Sequence, residues 1–313
     1  MNVIITGGAG FIGSNFCCSM RDKFNKIIII DCLNYSGNIK NIENIVNKEN
    51  VIFIKKNIID IDFNDLYNKY NIDTIIHFAA QTHVDNSYKK VYQFISDNIN
   101  VTCHILESLR KYEKKIKLIH FSTDEVYGPS YKYEIFTENS KFNPTNPYSA
   151  SKVAAEMFIN SYKISFKLDV IIVRCNNAYG IKQHLEKVIP AFINKALQDE
   201  PLTIHGSGEQ IRDFIHTSDI SNAIMTLLKK GKSGEVYNIS NANPLTINNL
   251  AKLIIKNIGK GTIKYIKDRP FNDYRYRVDS KKLQKLGWTI ETNFKDELLK
   301  IIEWHKQNPN YWD

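Results

Sequence analysis

The stretch VIITGGAGFIGSNF, residues 3–16, decides the fold. Residues with strong β propensity run straight into Gly7, Gly10 and Gly13, after which the pattern turns helical. In such a strand–turn–helix unit the first glycine permits a tight turn and the second lets a pyrophosphate approach the backbone. The third lets helix and strand pack closely, while the helix N-terminus attracts negative charge. Asp31 closes the next apolar run, IIIID, roughly twenty residues on, where a carboxylate accepts hydrogen bonds from ribose hydroxyls and repels a 2′-phosphate. Turns use glycine freely, so the triplet counts only because a strand precedes it, a helix follows and an acid ends the second strand. The stretch therefore predicts a dinucleotide site that prefers NAD to NADP.

Outward from it, short β-rich runs alternate with helical patterns. NVIIT, IIIID, VIFI, DTIIHF, IKLIHFS and LDVIIVR are too continuously apolar for a sheet with one face in water, which predicts an α/β fold with a doubly wound parallel Rossmann sheet. Helices are expected near residues 11–24, 62–71, 89–113 and 148–165, the last entered through NPTNPY with Pro147 near its first turn. Beyond about residue 176 the alternation loosens, and EKVIPAFINKALQ, SDISNAIMTLLKK, TINNLAKLIIKNI and FKDELLKIIEWHKQ are amphipathic at helical spacing. The expected division is a Rossmann domain over residues 1–175, to which part of 213–240 returns, and a smaller α/β C-terminal substrate domain over 176–313.

Composition narrows the function classes. The chain has 313 residues, 43% apolar and 24% charged, as ordinary soluble globular proteins do. No run reaches the ~18 apolar residues a membrane span needs, and MNVIITGG lacks the features of a signal peptide, so a cytoplasmic protein is expected. The cysteines, at 17, 18, 32, 103 and 175, have neither CxxC nor zinc spacing; no disulfide and no metal are expected. The lysines behind the net charge of +9 are scattered along the chain rather than gathered into a patch, which argues against nucleic acid as a partner.

Two further stretches carry chemistry. HFSTDEVYG, residues 120–128, places Asp124 and Glu125 side by side at the end of an apparently buried strand, and burying two like charges together is costly. A solvated turn is one reading; a pair of carboxyls kept for acid and base work is the other. YSASK sets Tyr148 and Lys152 at i and i+4 on one helix face. An ammonium near a phenol favours the phenolate and suits the tyrosine to take a proton from an alcohol.

These motifs resemble the extended short-chain dehydrogenase/reductases over essentially the whole chain. Within that group HFAAQTHVDNS, STDEVYG, NPYSASK, RCNNAYG, QHLEKVIP, HGSGEQIRDFIH, GEVYNI and DRPFNDYRY, in this order, resemble the nucleoside-diphosphate-glucose 4,6-dehydratases. The resemblance implies a sugar-nucleotide substrate, a tightly held NAD and a homodimer joined through helices like 89–113 and 148–165. It implies that Tyr148 takes the C4 hydroxyl proton while hydride leaves C4, that Thr123 hydrogen-bonds the C4 oxygen, that Glu125 removes the C5 proton and that protonated Asp124 protonates the departing C6 hydroxyl. Return of the hydride to C6 and of a proton to C5 gives a 4-keto-6-deoxy sugar nucleotide. The cofactor contacts it implies are Gly7, Gly10, Phe11, Ile12, Gly13, Asp31, Asn34, Asn57, Ile58, Phe78, Ala79, Ala80, Gln81, Tyr148 and Lys152. For the substrate it implies Thr82, Thr123, Asn177, Lys187, Val188, Thr203, His205, Arg212, Arg269 and Asn272. Arginine suits such a site because its fork binds two phosphate oxygens.

The chain departs from the family pattern in places. KNI replaces the usual Gly-Asp-Ile after the third strand, leaving Asn57 to accept through its amide oxygen; Leu185 replaces a proline, and Ala178 an asparagine. A sugar-nucleotide 4-epimerase or decarboxylase on the same scaffold is the main alternative, but these do not normally carry the Asp–Glu pair. A non-catalytic NAD-binding protein is a further one, and the intact Thr123, Asp124, Glu125, Tyr148 and Lys152 argue against it. HFAAQTHVDNS and RPFNDYRY resemble the UDP-glucose enzymes of plant rhamnose synthesis more than the bacterial dTDP-glucose enzymes, so UDP-glucose is favoured over dTDP-glucose as the first substrate of a rhamnose or deoxysugar pathway.

Overall fold

In the computed structural model, which describes residues 1–131, 134–268 and 273–312, the apolar runs become strands. In chain order these are β1 (Asn2–Thr6), β2 (Lys26–Asp31), β3 (Val51–Lys55), β4 (Thr74–His77), β5 (Lys117–Thr123), β6 (Val170–Cys175), β7 (Asn177–Tyr179), β8 (Leu202–His205), β9 (Ile211–His216), β10 (Val236–Ile239), β11 (Pro244–Thr246) and β12 (Ile263–Ile266). Seven form one sheet in the order β10-β6-β5-β4-β1-β2-β3. Every neighbouring pair in it is parallel. Strand order reverses between β1 and β4, the place where an open α/β sheet leaves a crevice outside its carboxyl ends.

The unbroken apolar strands follow from burial on both faces. Val3, Ile5, Ile27 and Ile29 pack on one side with Phe16 of helix Phe11–Met20 and with Ile220, Ile224 and Leu227 of helix Thr217–Lys230. Ile4, Ile28 and Ile30, the alternate residues, pack on the other side with Leu66, Ile105, Leu106 and Ile159. Three short strands, β11-β9-β7, and the pair β12-β8 lie outside the large sheet. A third core joins helices Val188–Leu197, Ile247–Ile258 and Phe294–Gln307 through Ile189, Phe192, Leu250, Ile254, Leu298 and Ile301.

The helix expected over 89–113 runs from Val91 to Lys111 but is not α-helical throughout. It is built from Val91–Phe94, a π-helical turn at Ile95–Asn100 and Val101–Lys111. Asn98 in that turn is buried; its Oδ1 accepts from Gln81 N at 2.8 Å, and its Nδ2 donates to Gln81 O at 3.1 Å and Ser151 Oγ at 2.8 Å. The wide turn thus ties the helix to the segment that follows β4, as π-turns at functional sites often do. Among the described residues no helix is long and apolar enough to cross a membrane.

Candidate active site

At the carboxyl ends of β1, β2, β4, β5 and β6 lies a cleft of about 470 Å³. Gly7, at φ +69°, takes the tight turn, and a Cβ there would stand 2.6 Å from Ala79 N. A Cβ on Gly13 would stand 2.3 Å from Gly7 O, so helix Phe11–Met20 rests directly on the turn. No side chain caps that helix, which leaves its first N–H groups to the cleft. Asp31 Oδ2 accepts from Ala9 N at 3.0 Å and Oδ1 from Leu33 N at 2.9 Å, so the carboxylate shapes the glycine turn as well as lining the cleft. Phe11, Ile12, Asn34, Asn57, Ile58, Phe78, Ala79, Ala80, Gln81, Tyr148 and Lys152 line it together with Gly7, Gly10, Gly13 and Asp31, so the fifteen positions expected to hold the cofactor face one cleft. An uncapped helix start, a glycine floor and an acid at the end of β2 fit a dinucleotide. Asn57 Oδ1 is engaged differently from expectation: it accepts from Ile59 N at 3.3 Å, capping a short 3₁₀ turn.

β5 ends the cleft with the acids. Thr123 Oγ1 accepts from Glu125 N at 3.2 Å and donates to Asp124 Oδ1 at 3.3 Å, a local turn that fixes both carboxyls. Asn176, just past β6, donates from Nδ2 to Asp124 Oδ2 at 2.6 Å. Asn146 donates from Nδ2 to Glu125 Oε2 at 3.1 Å while its own oxygen caps helix Pro147–Phe166 by accepting from Ser149 N. Asp124 is 3% exposed, and burial, reinforced by the charge of Glu125, pushes its carboxyl up to about 7. Burial also raises Glu125, against the pull of Asn146, Lys187 and Arg212. For both acids the main cost of ionising is therefore lost hydration, and for Asp124 the charge of Glu125 comes second.

Tyr148 opens the long helix, buried and facing the same cleft. Its phenol is raised by burial and by Glu125 and drawn down by a hydrogen bond with Thr123. Lys152 lies one turn further on, on the same face of that helix. Its Nζ donates to Phe121 O at 2.7 Å and meets His120 Nε2 at 3.4 Å. Placement on one helix face set the two side chains in register, but the buried ammonium is satisfied by the β5 backbone carbonyl, because a buried donor must find an acceptor. Burial draws Lys152 down to about 8.

A second cleft of about 350 Å³ shares Glu125, Asn177, Lys187 and Thr82 with the first. Val188, Thr203, His205 and Arg212 line it too. Lys187 Nζ donates to Thr82 O at 3.0 Å; Thr203 Oγ1 accepts from Lys195 Nζ at 2.8 Å. The Arg212 guanidinium lies 5.1 Å over the Tyr276 ring and donates to Ile211 O at 2.8 Å. His205 Nδ1 meets Lys267 O at 3.3 Å, and Asn177 Nδ2 donates to Asp213 O at 3.5 Å. Arg269 and Asn272 lie outside the described residues.

Sequence reasoning did not single out Asn176, Asn146 or His120. Asn146 was readable as a cap because it precedes Pro147, and Asn176 adjoins the expected Asn177. The grip of Asn176 on Asp124 depends on β6 lying beside β5, which no local pattern states.

Residues 4–301 match the family described as GDP-mannose 4,6 dehydratase. The dTDP-D-glucose 4,6-dehydratase of Homo sapiens is 42% identical over 321 residues, covering 99% of this chain and 91% of its own. The chain belongs to the nucleotide-sugar 4,6-dehydratase family. A trifunctional UDP-glucose 4,6-dehydratase/UDP-4-keto-6-deoxy-D-glucose 3,5-epimerase/UDP-4-keto-L-rhamnose-reductase of Arabidopsis thaliana is 41% identical, covering 99% of this chain and 48% of its own. Among solved structures, the dTDP-glucose 4,6-dehydratase DesIV of Streptomyces venezuelae, with NAD bound, superposes with a TM-score of 0.95 at 32% identity, covering 100% of this chain and 99% of that one. Family membership accounts for the Rossmann sheet.

Proposed function

We propose that this protein is an NAD-dependent hydro-lyase that converts UDP-glucose or dTDP-glucose to the 4-keto-6-deoxy sugar nucleotide and water. The observation that carries the reading is the meeting of Thr123, Asp124, Glu125 and Tyr148 in one cleft, with Asp124 kept protonated to about pH 7 by burial. NAD, held by the glycine turn, Asp31 and the Phe78–Gln81 segment, supplies the hydride acceptor and donor. Tyr148 Oη takes the C4 hydroxyl proton, and Thr123 Oγ1 orients the C4 oxygen. A carbonyl at C4 acidifies the C5 hydrogen, which a Glu125 carboxylate oxygen removes; Asp124 delivers its proton to the departing C6 oxygen, and return of a hydride to C6 and of a proton to C5 completes the product. Lys187 and Arg212, with Asn177, are placed to hold the diphosphate, and the Thr203 and His205 end of the second cleft receives the rest of the nucleotide. The positive nicotinamide ring of bound NAD would favour the phenolate of Tyr148, which burial and Glu125 oppose.

An epimerase needs the tyrosine and a hydroxyl but no buried acid beside them, so the Asp124–Glu125 pair favours dehydration. Uracil and thymine differ by one methyl, worth only about 1–3 kcal/mol in a pocket; the sequence motifs favour UDP-glucose. We place the division between cofactor and substrate halves near residue 175, with Thr217–Lys230 and β10 returning to the first. Val91, Tyr92, Ile95, Phe158 and Ile164 are exposed on adjacent helices, and we assign this apolar face to a homodimer of a cytoplasmic enzyme. Incubation with each nucleotide and detection of the 4-keto-6-deoxy product tests the reading. Binding of NAD without turnover of either sugar overturns it.

A further inference from the structure

Beneath the reacting groups lies a buried ion pair that no step of the proposed chemistry uses. Glu156 is 1% and Arg174 4% exposed. Arg174 Nη2 meets Glu156 Oε2 at 2.6 Å, and Nε meets both carboxylate oxygens at 3.1 Å. Apolar residues of similar volume stabilise a core as well as a buried pair or better, so stability alone does not explain its presence.

Its other partners show where it acts. Ser122 Oγ donates to Glu156 Oε1 at 2.6 Å, and Arg174 Nη1 donates to Tyr127 OH at 2.8 Å. Ser122 and Tyr127 bracket the segment Thr123–Glu125. Glu156 continues the face of the long helix that carries Tyr148 and Lys152, at spacings of four residues. Arg174 stands two residues before Asn176, the partner of Asp124. The rings of Tyr127 and Phe142 lie 4.9 and 4.7 Å from the guanidinium carbon and hold it in place. One pair is thus bonded to every segment that carries a reacting group.

We propose that the Glu156–Arg174 pair is the positioning element of this site: it clamps the Thr123–Glu125 turn against the Tyr148–Lys152 face, and Glu156 keeps the Lys152 ammonium charged. The proposal rests on the reading above for what the clamped groups do. Around Lys152 stand His77 on β4 and His120 on β5, both kept neutral by burial, and Tyr148 and Glu156 on its own helix. Of these, Glu156 is the group that favours the ammonium against burial.

Glu156→Gln keeps the shape and the acceptor for Ser122 while removing the charge. In protein carrying ¹³C-labelled lysine, with the Lys152 signal assigned by Lys152→Arg, its titration midpoint is expected to fall by about one unit. KM is expected to change by less than about twofold. A pair that only stabilises the fold lowers the unfolding temperature and leaves the Lys152 midpoint in place, which overturns the charge role. Should the single variant not fold, Glu156→Gln/Arg174→Met, which leaves no lone buried charge, is read for the same downward shift. Ser122→Ala tests the clamp: kcat is expected to fall about tenfold with KM unchanged, and an unchanged kcat overturns it. The Lys152 titration needs no turnover, so failure of the functional reading leaves it decisive.

Discussion

Asn176→Ala gives a direct view of how Asp124 is kept protonated. Asn176 Nδ2 lies 2.6 Å from Asp124 Oδ2 and favours the carboxylate, pulling against burial and the charge of Glu125. A hydrogen bond to a charged group is worth about 1.5–3 kcal/mol, and one pKa unit about 1.36 kcal/mol, so removing the donor raises Asp124 by about one unit or more. With a midpoint of about 7, the protonated fraction drops from about 91% at pH 6 to about 9% at pH 8, a ratio near 0.1. With a midpoint of about 8 it drops from about 99% to about 50%, a ratio near 0.5. Rapid-quench single turnovers, in which decay of the 4-keto hexose isolates the water-loss step, measure that ratio independently of any general loss of activity. The alkaline limb of water loss is therefore expected to move upward by about a pH unit in the variant. A limb that stays put or moves down refutes the assignment of Asp124 as the acid whose proton this hydrogen bond opposes.

The remaining expectations concern the same machinery. Glu125→Gln retains oxidation at C4 and loses water loss by about a hundredfold or more, so NADH absorbance persists on the enzyme; full turnover in this variant would exclude Glu125 as the base. Asp124→Asn removes a group whose folded-state pKa, about 7, lies above its ordinary 3.8, so the cost of ionising it is absent in strong acid, grows as pH rises from about 4 to 7 and is complete above 7. Thermal unfolding of that variant should gain more at pH 8 than at pH 5, while water loss is abolished. Gly13→Ala drives a methyl to 2.3 Å from Gly7 O, a backbone atom that cannot move aside. A lower unfolding temperature together with loss of NAD binding by calorimetry is expected, and normal binding would contradict the helix-on-turn packing.

Most of the architecture could be read along the chain because its signals are local. Glycine spacing, apolar runs buried on both faces and caps such as Asn146 before Pro147 each specify an element without reference to distant residues. The same holds for Tyr148 and Lys152, whose spacing sets them on one face. What the ammonium touches was not local: Phe121 O and His120 come from a strand some thirty residues away. The π-turn at Ile95–Asn100 was likewise hidden, since it answers to Gln81 and Ser151 rather than to its own sequence. Burial decided the acids. Adjacent carboxyls suggested mutual repulsion, whereas lost hydration is the larger cause of the raised Asp124, and hydration follows from the packing of several segments.

The central claim is that a phenol and two neighbouring acids act on one hexose ring, so that hydrogen removed from C4 reappears at C6. Conversion of UDP-glucose and of dTDP-glucose deuterated at C4 tests it most directly, with the label located in the product by NMR. Deuterium in the C6 methyl of a 4-keto-6-deoxy sugar nucleotide is the expected result. Deuterium recovered at C4 of an epimerised hexose, or no 4-keto product from either substrate, would contradict it.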